Sequence, residues 1–228
     1  MLSAPLLLVL ALTAAVPAPA AKALNTEGFR LYQAGRYPEA LEKFQEATRQ
    51  APDYALARYN VAATLGLLRK QGKVCEYSAH RDVIVEHLTQ SVKLDARRLA
   101  RAKVDSDLDP IRDTLGWQRL LGRSPERESD VRLLLPAVSW FGPGVGVYGT
   151  LQGLRFQRNG RAVLWLKEVG DDGVPRLREV KGTYSVRGRQ VELRLKGRAP
   201  LVGTLTDTGA LTIPELGTFT DSPSECEA

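Results

Sequence analysis

The chain has few of the residue types on which common catalytic and metal sites depend. Its 228 residues include only two cysteines and two histidines. The histidines, His80 and His87, lie seven residues apart, whereas metal ligands on one helix normally lie three or four apart, and the HExxH spacing is missing. No GxSxG segment and no glycine-rich phosphate-binding loop is found. We therefore predict a non-enzymatic protein without a metal or cofactor, and we interpret both histidines as surface residues of a helix.

Long apolar runs are also scarce. The run from Leu6 to Val16 is too short to span a bilayer, and Pro17 would break a helix there. Ala18 to Ala20 then form the small-x-small motif that signal peptidases cleave. We predict a signal peptide over residues 1–20, a mature chain without a transmembrane span, and a periplasmic or secreted location in the bacterial envelope. A first transmembrane helix or core helix is the alternative interpretation.

Charge of one sign is not concentrated in any segment. The net charge is +6 and the isoelectric point is about 9.4, but Lys and Arg are spread along the chain and interleaved with Asp and Glu. Such mixing is typical of a solvated surface, so we predict no nucleic-acid partner. Weak, salt-sensitive contact with anionic polymers or lipids of the envelope is compatible with the basic balance.

The two cysteines are Cys75 and Cys226. An exported chain reaches an oxidising compartment, where this pair can form one disulfide. The bond would attach the acidic tail, residues 221–228, which we otherwise predict to be flexible. Two unpaired thiols are the alternative, because disulfide geometry is strict. No second cysteine lies near either one in the sequence, which argues against a redox-active role.

Small and apolar residues recur at helical spacing on either side of a break at Gly35. They are Leu24, Gly28 and Leu31 before the break and Ala40, Phe44 and Ala47 after it, with Pro52 ending the second helix. This pattern resembles a tetratricopeptide repeat (TPR), a pair of helices followed by a turn. The resemblance implies that Gly28 and Ala40 are small where the two helices cross, and that Phe44 packs toward the next repeat.

A second repeat and a terminal segment follow. Residues 54–69 carry apolar side chains at helical spacing, but the partner helix comes about ten residues later than the repeat length requires, so the loop or the second helix is extended. Residues 97–104 are predicted to be helical, Asp105 is a predicted N-cap, and a further helix is expected from Asp109 onward. This part resembles the segment that covers the last apolar face of TPR arrays. We therefore predict a TPR-like helical domain over residues 21–121.

The hydrophobic period then changes. Residues 122–136 are predicted to be a linker, and residues 137–220 show the alternation typical of strands, including one at 146–151. About seven or eight strands are expected, which favours a small antiparallel barrel or sandwich and an α+β fold overall. The domain resembles lipocalin-like or META-like domains. Asn159-Gly160 predicts a two-residue hairpin turn that pairs Phe156 with Val163 and Leu154 with Trp165.

The TPR-like register indicates which side chains form the concave face of the array. They are Asn25, Phe29, Tyr32 and Gln33 in the first repeat and Tyr59 and Asn60 in the second. The resemblance implies that this face binds a partner, since aromatic rings supply contact area and Asn can hydrogen-bond a peptide backbone. Packing of these residues against one another or against the second domain is the alternative. The basic clamp of some family members is not matched, because Asn25 and Phe29 occupy two of its positions.

The leading functional hypothesis is an exported adaptor that binds a peptide or helix of an envelope protein through a short TPR groove. The alternative is a carrier or sensor of a small apolar ligand, held in the β-domain by residues such as Leu154, Phe156, Tyr184 and Leu193. A cell-wall or metal-dependent enzyme is a third hypothesis, for which no catalytic residues can be named.

Overall fold

The computed structural model describes residues 18–143, 152–169, 174–223 and 225–226. Residues 1–17 of the predicted signal peptide and the predicted strand at 146–151 lie outside this part of the chain. Within it, no helix combines the length and the apolar character that crossing a bilayer requires.

The first half consists of helices that pack in chain order. The long ones are α1 (Pro19–Gln33), α2 (Tyr37–Gln50), α3 (Ala55–Lys70) and α4 (Arg81–Leu94). The crossing of α1 and α2 depends on Gly28, because a Cβ there would lie 2.7 Å from Cε1 of Phe44. Gly35 ends the first helix with a φ of +75°, a conformation that glycine adopts without steric cost. The predicted pair of helices with a small residue at the crossing is confirmed.

Ten residues, 71–80, connect α3 to α4, so the extra length of the second repeat lies in the loop and not in its second helix. Two short helices follow, α5 (Arg97–Ala102) and α6 (Leu115–Leu120), with a 3-10 helix at Ser106–Ile111 between them. The side chain of Asp105 caps the 3-10 helix by accepting a hydrogen bond from the backbone N–H of Asp107 at 3.1 Å, as predicted.

The helix expected from Asp109 onward begins later than predicted. Pro110 lies inside the 3-10 helix, and α6 begins at Leu115. The reason is Thr114, whose hydroxyl accepts a hydrogen bond from the backbone N–H of Trp117 at 3.1 Å and so provides the N-cap.

The segment predicted as a linker, residues 122–136, carries structure of its own. It contains a 3-10 helix at Glu128–Asp130 and α7 (Val131–Leu134), and a further 3-10 helix begins at Leu135. Three of its side chains, Val131, Leu134 and Leu135, are fully buried in the same core as the strands that follow. The segment therefore contributes to the core of the second half as well as connecting the two halves.

The second half is one antiparallel sheet in which every strand pairs with the next. Its strands are β1 (Trp140–Phe141), β2 (Gln152–Phe156), β3 (Arg161–Val169), β4 (Pro175–Arg187), β5 (Gln190–Leu195), β6 (Leu201–Leu205), β7 (Leu211–Ile213) and β8 (Gly217–Phe219). Phe141 and Thr220 exchange two backbone hydrogen bonds, of 2.7 and 2.9 Å, which bring the first strand to the end of the last. The sheet is thus nearly closed and barrel-like, and the predicted α+β class is confirmed.

Apolar side chains fill the interior of this sheet. Leu154, Phe156 and Leu193, which were expected to line a ligand cavity, are buried in its core. Tyr184 packs against them at the edge, with its ring centroid 4.8 Å from that of Phe156. The indole N–H of Trp140 donates to the carbonyl of Leu135 at 3.1 Å, so even this polar atom is satisfied inside.

The predicted turn at Asn159-Gly160 is wrong by one residue. The loop has three residues, because Gln157 donates its N–H to the carbonyl of Arg161 at 2.8 Å. Gly160 is the last residue of the loop, with a φ of +79°, and its N–H donates to the carbonyl of Gln157. A turn followed by a left-handed glycine is the usual form of a three-residue hairpin, and Asn-Gly suits this form as well as the two-residue one.

The longer loop shifts the register of the hairpin. Phe156 pairs with Ala162 and Leu154 with Leu164, instead of with Val163 and Trp165. A shift of one residue exchanges the two faces of a strand. Ala162 and Leu164 are accordingly buried in the core, and Trp165 lies on the outer face, where its ring contacts that of Phe141.

The C-terminal tail runs back onto the helices. A disulfide joins Cys75, in the loop after α3, to Cys226, with the two Cα atoms 5.5 Å apart. The guanidinium of Arg69 forms a bidentate ion pair with Glu225, one contact being 2.8 Å. The carboxylate of Asp221 accepts a hydrogen bond from the backbone N–H of Leu115 at 2.7 Å. These contacts hold the described residues of a tail that the sequence suggested would be flexible.

We expect the purified mature protein to contain no thiol that reacts with an alkylating reagent after denaturation without reductant. Replacement of both Cys75 and Cys226 by Ser should lower the free energy of unfolding by about 2–4 kcal/mol, because the bond restricts the unfolded chain. Alkylation followed by mass spectrometry and denaturant titration measure the two quantities. Two reactive thiols in the untreated protein would contradict the pairing.

Candidate partner-binding groove

A groove with a volume of about 290 Å³ lies between the first helices of the two repeats and the segment that follows α4. One wall comes from α1 and α3, and the other comes from α5 and the 3-10 helix at Ser106–Ile111. The lining residues are Phe29, Tyr32, Phe44, Leu56, Tyr59, Asn60, Ala63, Thr64, Arg98, Arg101, Asp105 and Asp107.

The apolar part of the groove is centred on Phe29. Its side chain is 49% exposed, which is high for an aromatic residue, while Phe44 beneath it is almost fully buried. Leu56, near the start of α3, lines the same groove. An exposed aromatic ring beside buried apolar residues offers contact area to a partner at a low cost in conformational entropy.

Two tyrosines of the concave face bind aspartates of the chain itself. The hydroxyl of Tyr59 donates to Asp105 at 2.6 Å, and the hydroxyl of Tyr32 donates to Asp107. Burial, and then the hydrogen bond to the carboxylate, raises the pKa of each tyrosine above its ordinary value. Both phenols therefore stay protonated in the physiological range and act as donors to the 3-10 segment.

The two asparagines connect the first helices of the repeats. The side-chain amide of Asn60 donates to the side-chain carbonyl of Asn25 at 2.8 Å, and Asn25 is buried. Phe29, Tyr32, Tyr59 and Asn60 thus lie together in the groove, whereas Asn25 supports it from below and the exposed Gln33 is not part of its lining. Their role in partner binding stays a prediction.

The charged wall was not predicted from the sequence. Arg98 and Arg101 reach the groove from α5, and Asp105 and Asp107 follow from the 3-10 segment. Arg98 is paired with Asp95 at 3.2 Å. The side chain of Arg101 is largely exposed, and its Nε lies 3.8 Å from the carboxylate of Asp105.

In the sequence, Gly66 is the one indication that the 3-10 segment packs directly on α3. Gly66 lies in the middle of the helix, where glycine is unfavourable, and a Cβ there would lie 2.1 Å from the carbonyl oxygen of Asp107. An isolated glycine inside a helical pattern commonly marks such a close approach. It does not identify which part of the chain approaches.

The histidines lie outside the groove. Nδ1 of His80 is 3.7 Å from the carboxylate of Glu225, beside the disulfide. His87 is half-buried instead of lying on the surface, and burial, followed by the charge of Arg58, lowers its pKa. Among the described residues, no three His, Cys, Asp or Glu side chains are grouped so that they could hold a metal ion.

The comparison with protein families gives one finding. Residues 28–68 match a family model described as TPR repeat. The match extends from Gly28 of α1 through all of α2 to Leu68 of α3, and so includes the last six residues of α1 and most of α3. The resemblance noted in the sequence is thereby confirmed for this part of the chain, and TPR repeats suggest protein–protein interaction. No curated protein matches the chain.

Tyr59→Phe should lower the free energy of unfolding by about 1–3 kcal/mol, because it removes the hydrogen-bond donor of one carboxylate oxygen of Asp105, while the other oxygen still accepts from the N–H of Asp107. Tyr59 is only 5% exposed, so water cannot readily replace the hydroxyl. Tyr54→Phe is the matched control, since no hydrogen bond of its hydroxyl is found among the described residues. Equal stability of the two variants in denaturant titrations would show that the hydrogen bond between Tyr59 and Asp105 does not stabilise the fold.

Proposed function

We propose that this protein is an exported, non-enzymatic adaptor that binds a peptide or helix of an envelope protein in the groove between α1, α3 and α5. The observation that carries the proposal is the exposed ring of Phe29, which lines the groove and belongs to the region that matches a TPR repeat. Full burial of a large apolar side chain contributes about 1.5–3 kcal/mol. Phe29 is 49% exposed, so a partner that covers it would add roughly half of that.

The contacts within the groove indicate how such a segment would be recognised. The hydroxyls of Tyr32 and Tyr59 already donate to aspartates, so neither has a free donor for a partner. The half-buried Tyr32 offers ring surface, whereas Tyr59 is almost fully buried. Polar recognition is left to Asn60, whose side-chain oxygen can accept a hydrogen bond, and to the exposed guanidinium of Arg101. The groove is short, and a partner segment with one bulky apolar side chain next to a hydrogen-bonding backbone fits it best.

Two features support export. The apolar run from Leu6 to Val16 precedes a signal-peptidase motif at Ala18 to Ala20. The disulfide between Cys75 and Cys226 is a bond that persists in oxidising compartments and is rare in the cytosol. These features are independent of each other, since one lies in the leader and the other joins the two halves of the folded chain.

Phe29→Ala should reduce crosslinking of the mature chain to its partner in envelope extract by about tenfold or more, as expected for a central aromatic contact. Because the side chain is half exposed, its loss should lower the free energy of unfolding by only about 1 kcal/mol. Quantitative crosslinking from labelled extract and denaturant titration measure the two effects.

Leu133→Ala is the matched control for this experiment. Leu133 is another half-exposed apolar residue, on α7, and it does not line the groove. The control should keep full crosslinking. Equal capture by Phe29→Ala and by the unaltered chain would rule out the groove as the binding site.

Export is tested separately by fractionation and N-terminal sequencing of the chain produced in a bacterial cell. We expect the envelope or secreted fraction to contain a protein whose first residue is Ala21. A full-length chain that stays in the cytosol would contradict export without affecting the groove.

A further inference from the structure

The outer face of strands β2 to β5 carries a concentration of positive charge that the linear sequence conceals. Side chains alternate between the two faces of a strand, and paired residues of adjacent strands share a face. Arg155 pairs with Val163, which in turn pairs with Lys181, on the face opposite to that of the buried Leu154 and Leu164. Arg161 pairs with Thr183, which in turn pairs with Arg194, on the same outer face.

Two further lysines extend this face. Lys196 follows the buried Leu195, and its N–H donates to the carbonyl of Lys181 at 3.0 Å. Lys167 pairs with Leu177 near the outer end of the β3–β4 hairpin. We call Arg155, Arg161, Lys167, Lys181, Arg194 and Lys196 the basic face; all six are exposed.

Among the residues that the structure describes, few acidic groups oppose this charge. Glu192 is bound to Arg194 at 2.7 Å, and Glu179 is the other carboxylate that the strand pairing places there. Within the described part of the chain, the other five members of the basic face form no ion pair. Like charges on neighbouring strands repel one another, so this grouping lowers the stability of the free protein.

Exposed apolar side chains lie on the same face. Leu177 is 66% exposed and pairs with Lys167, and Val202 is 51% exposed and pairs with Glu192. They lie toward opposite ends of the patch and do not contact the core. A soluble anionic polymer would neutralise the cations but would leave these two side chains in water.

We propose that the basic face docks this protein onto the surface of a membrane containing anionic lipids. The cations are distributed over four strands, which lie about 4.8 Å apart, so the charge forms a two-dimensional patch that suits a surface of lipid headgroups. Each Lys or Arg near such a surface contributes attraction, and apolar side chains at the patch insert between the headgroups. The half-buried Trp165, whose indole can lie at headgroup depth, is on this face too. The docking is independent of the proposed groove.

The test is sedimentation of the mature chain with vesicles of phosphatidylcholine mixed with phosphatidylglycerol, compared with vesicles of phosphatidylcholine alone. We expect binding only to the anionic vesicles, with an affinity that falls as salt is added. Lys181→Glu together with Lys196→Glu should weaken binding by about tenfold or more, because each change replaces an attraction by a repulsion. Leu177→Ser should weaken it by a smaller factor that does not depend on salt.

The matched control changes the same charge elsewhere. Lys22→Glu together with Arg30→Glu alters two exposed residues of α1 that are far from the sheet in sequence and form no ion pair among the described residues. This control and Phe29→Ala should bind vesicles as the unaltered chain does, provided that all variants melt at the same temperature.

Three outcomes would overturn the proposal. The first is that the unaltered chain does not bind anionic vesicles. The second is an equal loss with the α1 control, which would mean that net charge alone is responsible. The third is that soluble polyphosphate competes fully with the vesicles while Leu177→Ser has no effect, which would assign the face to a linear polyanion. None of these results bears on the groove, and loss of crosslinking by Phe29→Ala does not bear on the basic face.

Discussion

The contact between the backbone of Asp107 and α3 at Gly66 determines the form of the helical half. Because Gly66 has no side chain, the 3-10 segment lies directly on the first helix of the second repeat, and Leu108 and Ile111 enter the core beside it. That position brings Asp105 and Asp107 to the two tyrosines. The 3-10 segment thus covers part of the concave face that two repeats alone would leave exposed. The groove is the uncovered part of that face, next to Phe29.

The two halves of the molecule meet around a buried cation. Arg81, at the start of α4, is almost fully buried, forms an ion pair with Asp113, and lies over the ring of Phe141 from β1 at 5.4 Å. The backbone carbonyl of Asp113 accepts a hydrogen bond from Ser139 at 3.0 Å. A buried charge is tolerated only where it is paired. Because other arrangements would leave Arg81 unpaired, its contacts with Asp113 and Phe141 favour one relative arrangement of helices and sheet.

Much of the fold could be predicted from local patterns. The spacing around Gly28, Ala40 and Phe44 identified the repeat, since the close crossing of two helices admits only small residues there. Alternation identified the strands. The register of the β2–β3 hairpin could not be predicted, because Asn159-Gly160 is compatible with loops of two and of three residues, and only the pairing of Ala162 and Leu164 with the core decides between them.

The candidate site was predicted less completely than the fold. Register alone placed Phe29, Tyr32, Tyr59 and Asn60 on the concave face, and all four line the groove. Their partners could not be inferred, because Asp105, Asp107 and Arg101 reach the groove only when a segment distant in sequence folds back. The basic face could not be predicted either. Its Lys and Arg residues are scattered in the sequence, and only the pairing of the strands places them side by side on one face.

The disulfide between Cys75 and Cys226 has a mechanical consequence. It closes a covalent ring that contains α4 and the entire sheet, while α1, α2 and α3 lie outside the ring. A pull on the groove-bearing helices α1 and α3 is transmitted to the C-terminus through this bond and through the Arg69–Glu225 ion pair beside it. Tension between α1 or α3 and the C-terminus therefore bypasses the sheet, and the pairing of its short strands does not bear that load.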